Sequence, residues 1–470
     1  MGNGPIALGV DSSTQSTKVL AVDVETGEVL ARGQARHTVS EGAGRETDPE
    51  VWWRALGAAL AQIGPYAERA DAVSVGGQQH GLVVLDAVGR PLRPALLWND
   101  VRSAPQADAL VERHGAAHWA QRFGSVPGTS FTVTKWAWLT ENEPETAKAA
   151  AAVRLPHDFL TERLGGAGVT DRGDASGTGW WATDTETYDE ALLAEIGLDP
   201  ALLPRVLGPG EAAGVTLPGL PLREGVLVGS GTGDNAAAAL GLGLVPGQPA
   251  LSLGTSGTVY TPATTRPTDP TGIVAGFAGG HGDWLPLACT LNCTLAVDKI
   301  AGLLSLEREA VEAGGSAVVL PFLDGERTPN LPYASGLLTG LRHDTTPGQI
   351  LQAAYDGAAY ALLTALDQVL AVDGTGSDEP LLLIGGGARG TAWRETVRRL
   401  SGRAVRIPVA EELVALGAAA QAAGLLTGET PQAVARRWDT TAGPSYDPVP
   451  RDDAARDRLA TALADAFDVR

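Results

Sequence analysis

The sequence predicts an α/β protein with more than one domain. Short apolar stretches of strand type alternate with helical stretches along the chain. A strand, a loop of small residues and a second strand open each half, over 6–22 and again over 249–262. A length of 470 residues also exceeds what one hydrophobic core organises.

The elements follow in order. IALGVDSSTQSTKVLAVDVETGEVLARG reads as successive strands joined by turns, with Glu25-Thr26-Gly27 as the second turn. Thr47-Asp48-Pro49-Glu50 then supplies a polar cap and a first-turn proline for a helix through VWWRALGAALAQI. AVSVGGQQHGLVVLD reads as strand, turn, strand, with Gln78–Gly81 at the turn. Leu207–Gly225 is rich in Pro and Gly and reads as a surface loop. VLVGSGTGDNAAAAL reads as a buried strand, a glycine turn carrying Asp234 and Asn235, and an alanine helix. Val245-Pro246-Gly247-Gln248 marks a domain junction. Thr346-Pro347 caps a long helix, LLLIGGGARG is a strand ending in a glycine turn, and LVALGAAAQAAGLL is a helix with a small-residue face.

Composition excludes several classes of function. A net charge of −20 and a pI near 4.8 argue against nucleic acid as a partner, which needs a basic face. A nucleoside triphosphate is compatible, because Mg²⁺, backbone amides and a few cations can meet its charge locally. No basic start precedes an apolar signal core and no apolar run reaches transmembrane length, so the expected place is the cytoplasm, with no membrane partner. Two cysteines, Cys289 and Cys293, fit buried thiols in a reducing compartment better than a disulfide framework or a zinc site.

The loops carry the chemistry. Val10–Lys18 and Leu251–Thr258 are small, hydroxyl-rich loops of the kind that cradles phosphate through backbone N–H groups. Asp11, with Thr14 beside it, suits a hydrated Mg²⁺ and a terminal phosphate, or it caps a turn. Asp234 is a candidate base for an alcohol, or it and Asn235 cap the following helix. Gln79 and His80 offer paired donors and acceptors to a polyol, or they form a polar hairpin tip. Gly254 and Thr255 form the second phosphate loop, or an ordinary tight turn. Gly385-Gly386-Gly387 follows a strand, where a triple glycine usually serves structure. Glu326 and Arg327 read as a structural ion pair, and Trp98-Asn99-Asp100-Arg102 as scaffolding. Two phosphate-type loops and one candidate base together point to phosphoryl transfer.

The motifs VDSSTQSTK, DPEVWW, GQQHG, LLWND-x-R, GDNAAAALGLG, LSLGTSGT, LPFLDGERTP and IGGGAR occur in this order along nearly the whole chain. With them the chain resembles the FGGY carbohydrate kinases, the family of glycerol, gluconate and xylulose kinases. The resemblance implies two actin-like, ribonuclease-H-like domains facing across a cleft. Residues 1–243 would bind sugar and supply the base, and 244–470 would bind ATP. It implies transfer of phosphate from ATP to D-xylulose, giving D-xylulose 5-phosphate. Asp234 would take the proton from a primary hydroxyl, and Gln79, His80 and Asn235 would bind the sugar. Asp11 would hold Mg²⁺ through water. Thr14, Gly254 and Thr255 would lie at the phosphates, and Gly386 and Gly387 at the adenosine. A homodimer is implied by family alone. The chain departs from the family at Ser13, where glycine is common, and at Gln79, where many xylulose kinases carry methionine. D-ribulose, gluconate or a pentitol is the nearest rival substrate. An actin-like ATPase without sugar, or a non-catalytic sugar sensor, is the rival class.

Overall fold

The computed structural model describes residues 4–39, 44–220, 222–374 and 377–467. The first half forms a mixed sheet around β1 (Ile6–Ser12), β2 (Ser16–Asp23) and β3 (Val29–Arg36), an antiparallel meander. After α1 (Pro49–Gln62), β4 (Ala72–Gly77) and β5 (Leu227–Gly229) join in parallel on the far side of β1. All seven residues of β1 are buried, which explains its apolar run over 6–10 at the sheet centre. Asp48 caps α1 by accepting from the Glu50 amide, with Pro49 in the first turn, as the sequence predicts.

After α2 (Asp234–Gly241) the same plan recurs. Strands β6 (Ala250–Leu253), β7 (Gly257–Tyr260) and β8 (Trp284–Thr290) form the second meander. Beyond the long α3 (Pro347–Ala371), β9 (Leu381–Ile384) and β10 (Val405–Arg406) add in parallel. The order β3-β2-β1-β4-β5 therefore matches β8-β7-β6-β9-β10. Thr346 and Gln349 form a reciprocal capping box at the start of α3.

The two halves meet through α2 and α4 (Leu413–Thr427). Although it lies in the second half of the sequence, α4 packs on β1 and β4 of the first sheet, and Ala415, Ala419 and Ala420 share a core with Ala7, Leu20 and Val22. Small residues are needed here because the backbones nearly touch. A Cβ on Gly417 would lie 1.8 Å from the Ala237 carbonyl oxygen, and one on Gly9 would lie 1.8 Å from that of Ala415.

Two expected elements differ. Gln78–Gly81 is not a hairpin tip, because the strand Val83–Leu85 pairs with Ala152–Arg154 instead of β4. The turn stands instead at the C-terminal end of a parallel strand, where α/β sheets place ligands. The Leu207–Gly225 stretch contains an edge strand, Ala212–Val215, paired with β5; Pro221 within it lies outside the described residues. Among the described residues no helix is long and apolar enough to cross a membrane.

Candidate active site

The C-terminal ends of β1 and β9, the two hairpins and the start of α2 converge on one cleft. Its cavity is about 940 Å³ and is lined by Asp11, Lys18, Asp234, Ser252, Thr258 and Gly386, among others. That volume lies in the range of small-molecule and cofactor pockets.

Asp11, one residue before the end of β1, lies opposite Lys18 of β2, whose ammonium lies 3.7 Å from its Oδ2. The Asp11 Oδ1 is buried without a hydrogen-bond partner. Burial pushes Asp11 up to about 7; Lys18 opposes this, while Asp234 and Glu412 add to it. Lys18 is also ion-paired to Glu412, which stands at the start of α4, 394 residues away. Sequence reasoning passed over both. Lys18 at least sat inside a quoted motif, whereas nothing local marked Glu412. In the β1–β2 turn, the Ser13 hydroxyl and amide both donate to the Ser16 carbonyl, so the extra hydroxyl is spent inside the turn. The Thr14 hydroxyl accepts from the Trp98 indole N–H at 3.2 Å. Trp98 thus reaches the loop directly.

Asp234 is the first residue of α2, not its cap. The cap position is Gly233, which makes no side-chain bond, and this replaces the capping alternative. The Asp234 Oδ1 accepts from the Asn235 backbone at 2.8 Å and from its Nδ2 at 3.0 Å. The same Nδ2 donates to the Gln79 Oε1 at 3.0 Å, so Gln79, Asn235 and Asp234 form one chain. Burial, and then the nearby Asp174 charge, push Asp234 up to about 7. A carboxyl group poised there exchanges a proton readily at neutral pH.

His80 is buried with φ of 66°, between Phe131 and Phe277 at ring-centroid distances of 4.9 and 5.7 Å. Burial, followed by the Lys135 charge, pushes it down to about 3, so the ring is neutral. Its Nδ1 lies 2.7 Å from the Gly177 carbonyl and donates to it, which leaves Nε2 as the acceptor. Asn235 lines the cavity, whereas Gln79 and His80 do not.

In the second half, the Gly254 carbonyl accepts from the Thr294 amide at 3.1 Å and hydroxyl at 2.7 Å, which fixes the hairpin turn. Thr255 and Ser256 are exposed at its tip. Gly386 faces open space in the cavity. Gly387 turns inward, where a Cβ would lie 2.8 Å from Thr294 Cγ2. Glu326 is not ion-paired to Arg327. Its carboxylate accepts instead from the Leu291, Asn292 and Arg327 amides and from the Asn292 side chain, because the β8 exit turn presents bare N–H groups to it.

Asp11 fits a divalent cation. A buried carboxylate with one unpartnered oxygen, on the wall of the cavity, is the donor a hydrated Mg²⁺ would satisfy. Among the described residues no group of three or more His, Cys, Asp or Glu could hold a metal on its own, so waters and substrate phosphates would complete the shell.

Two duplicated lobes, each bringing a hydroxyl-rich hairpin to a cavity also lined by Asp11, Asp234 and Gly386, make a kinase-type cleft. The FGGY family of carbohydrate kinases matches by its N-terminal domain over residues 6–241 and by its C-terminal domain over residues 250–425. Xylulose kinases of Streptomyces coelicolor and Streptomyces rubiginosus are each 69% identical over 466 residues, covering 98% of this chain and 97% of theirs. The crystal structure of a xylulose kinase from Bifidobacterium adolescentis superposes with a TM-score of 0.86 at 36% identity, covering 98% of this chain and 100% of that one. The chain belongs to the FGGY family of carbohydrate kinases.

Proposed function

We propose that the protein transfers the γ-phosphoryl group of ATP to D-xylulose, giving D-xylulose 5-phosphate and ADP, with Asp234 as general base. The observation that carries this reading is the Asp234 carboxyl group, poised near neutrality on the cavity wall and joined to the uncharged Asn235 and Gln79. The 69% identity to xylulose kinases over nearly the whole chain supports D-xylulose as the acceptor.

Gln79, neutral His80 and Asn235 exchange hydrogen bonds with the sugar hydroxyls. Asp234 accepts the proton of the attacking primary hydroxyl as its oxygen bonds to phosphorus and the bond to ADP breaks. Lys18, Thr14, Gly254 and Thr255 meet the phosphates, while Gly386 and Gly387 let the backbone pass close to adenosine. Asp11 would hold Mg²⁺ through water, and the ion when bound would supply charge neutralisation at the phosphates. Residues 1–243 carry the sugar and base, and 244–470 the adenosine. Closure of the lobes excludes water from the transfer. ATP as donor places the reaction in the cytoplasm.

The test is ADP release from the purified protein with Mg·ATP and D-xylulose, D-ribulose, L-xylulose, D-gluconate or glycerol. Stimulation by D-xylulose above all others is expected. Stimulation by another member of the panel replaces the substrate, and sugar-independent hydrolysis removes the kinase reading.

A further inference from the structure

Behind Asp234 lies a buried charged cluster without a task in the proposed reaction. The His157 Nδ1 is 2.8 Å from the Asp174 Oδ2, while its Nε2 is 3.2 Å from Asp158 and 3.8 Å from Asp171. His157, Asp158 and Asp174 have no exposed side-chain surface, and Asp171 has 4%. Burial alone would discharge the imidazole, but Asp158, Asp174 and Asp171 together push His157 up to about 9. The three carboxylates thus favour the imidazolium over the neutral ring, while its Nε2 makes no hydrogen bond. The Asp174 Oδ1 has no hydrogen-bond partner, so His157 is the group that balances its charge.

The cluster touches both turns of the sugar corner. A Cβ on Gly77 would lie 2.9 Å from His157 Cβ, and one on Gly231 would lie 2.4 Å from its Cδ2. Gly77 leads into Gln78–His80, and Gly231 leads into Thr232–Asp234. Asp171 accepts from Thr232 Oγ1 at 2.7 Å and caps the short helix Arg172–Ser176. That helix carries Asp174 and ends at Gly177, whose carbonyl holds His80. One buried strut therefore connects the imidazolium, the base-bearing turn and the sugar-binding turn.

We propose that His157 and Asp174 are positioning residues for the base: their buried ion pair fixes the turns at Gly77 and Gly231 and so sets the surroundings in which Asp234 ionises. The inference rests on Asp234 being the base. The other charged groups around Asp234 are Asp11, with Lys18 and Glu412 behind it, and Arg327 across Cys289. On the far side of His157, Arg154 is paired with Glu162 and acts on Asp158. Of these, Asp174 is the charge that most opposes ionisation of Asp234.

The test is the pH profile of kcat/KM for D-xylulose at saturating Mg·ATP, in the parent, Asp174→Asn, His157→Lys and Asp234→Asn. Asp174→Asn removes a negative charge facing Asp234, so the acid limb is expected to move to lower pH by roughly 0.5–1 unit. His157→Lys keeps the cation and should leave the limb in place. A merely structural role would lower the amount of folded protein without moving the limb. An unmoved limb in a folded Asp174→Asn, with Asp234→Asn inactive, overturns this inference alone. A fully active Asp234→Asn overturns the base assignment itself. If Asp174→Asn does not fold, imidazole ¹⁵N resonances decide the matter, with the His157 signal assigned by its loss in His157→Lys. Double protonation up to pH 8 is expected, and a neutral ring at pH 7 overturns the ion pair.

Discussion

The two lobes share one topology but carry different groups at its strand ends. The turn after β4 presents side chains, Gln79 and His80, whereas the matching turn after β9 presents Gly385–Gly387 and almost nothing beyond backbone. The helices that cross at the centre diverge in the same way. Asp234 begins α2 with a carboxyl group aimed at the cavity, while Glu412 precedes α4 and holds Lys18. A duplicated scaffold thus fixes where groups converge, and the residues at the strand ends decide what each wall does.

Removing the proposed base should break this division most severely. Asp234→Asn is expected to lower kcat by roughly 10²–10⁴-fold, measured by steady-state ADP release with D-xylulose. The lobe assignment is sharpened by a crossed pair of variants. Gln79→Ala should raise the KM for sugar about tenfold, a cost of about 1.4 kcal/mol, with the KM for ATP nearly unchanged. Gly386→Val, which points into open space, should do the reverse. If both variants move the same constant, the walls do not divide the substrates.

The pH dependence is a gentler test. As the proposed base, Asp234 would have to be ionised to act, so kcat/KM should fall as pH drops below about 7. Neutral His80, at about 3, adds no limb above pH 5. Asp11 is also raised to about 7, but its limb should shift with magnesium concentration and that of Asp234 should not. The smallest effect is on stability. The raised folded value means that the native state binds more protons than the unfolded chain between about pH 4 and 7. Asp234 therefore costs stability as pH rises through that window. Asp234→Asn should raise the thermal midpoint at pH 8 and change it little at pH 4, read by scanning calorimetry.

Features set by a few adjacent residues were legible in the sequence. These include the Asp48-Pro49 and Thr346-Pro347 helix starts, the two hairpins and the small-residue helix α4. Features set by distant partners were not. Val83–Leu85 pairs with a strand some seventy residues on, so Gln78–Gly81 looked like a hairpin. The Glu326 carboxylate is claimed by amides near residue 291 and not by its neighbouring side chain. His157 reads as an ordinary helix-start residue until folding surrounds it with Asp158, Asp171 and Asp174.

The most direct test of the central claim is calorimetric titration of D-xylulose into Asp234→Asn. If Asp234 is chiefly the base and the sugar is held by Gln79, His80 and Asn235, affinity should stay within about tenfold of the parent while turnover is lost. Loss of sugar binding in step with turnover would contradict the account and make Asp234 a ligand first.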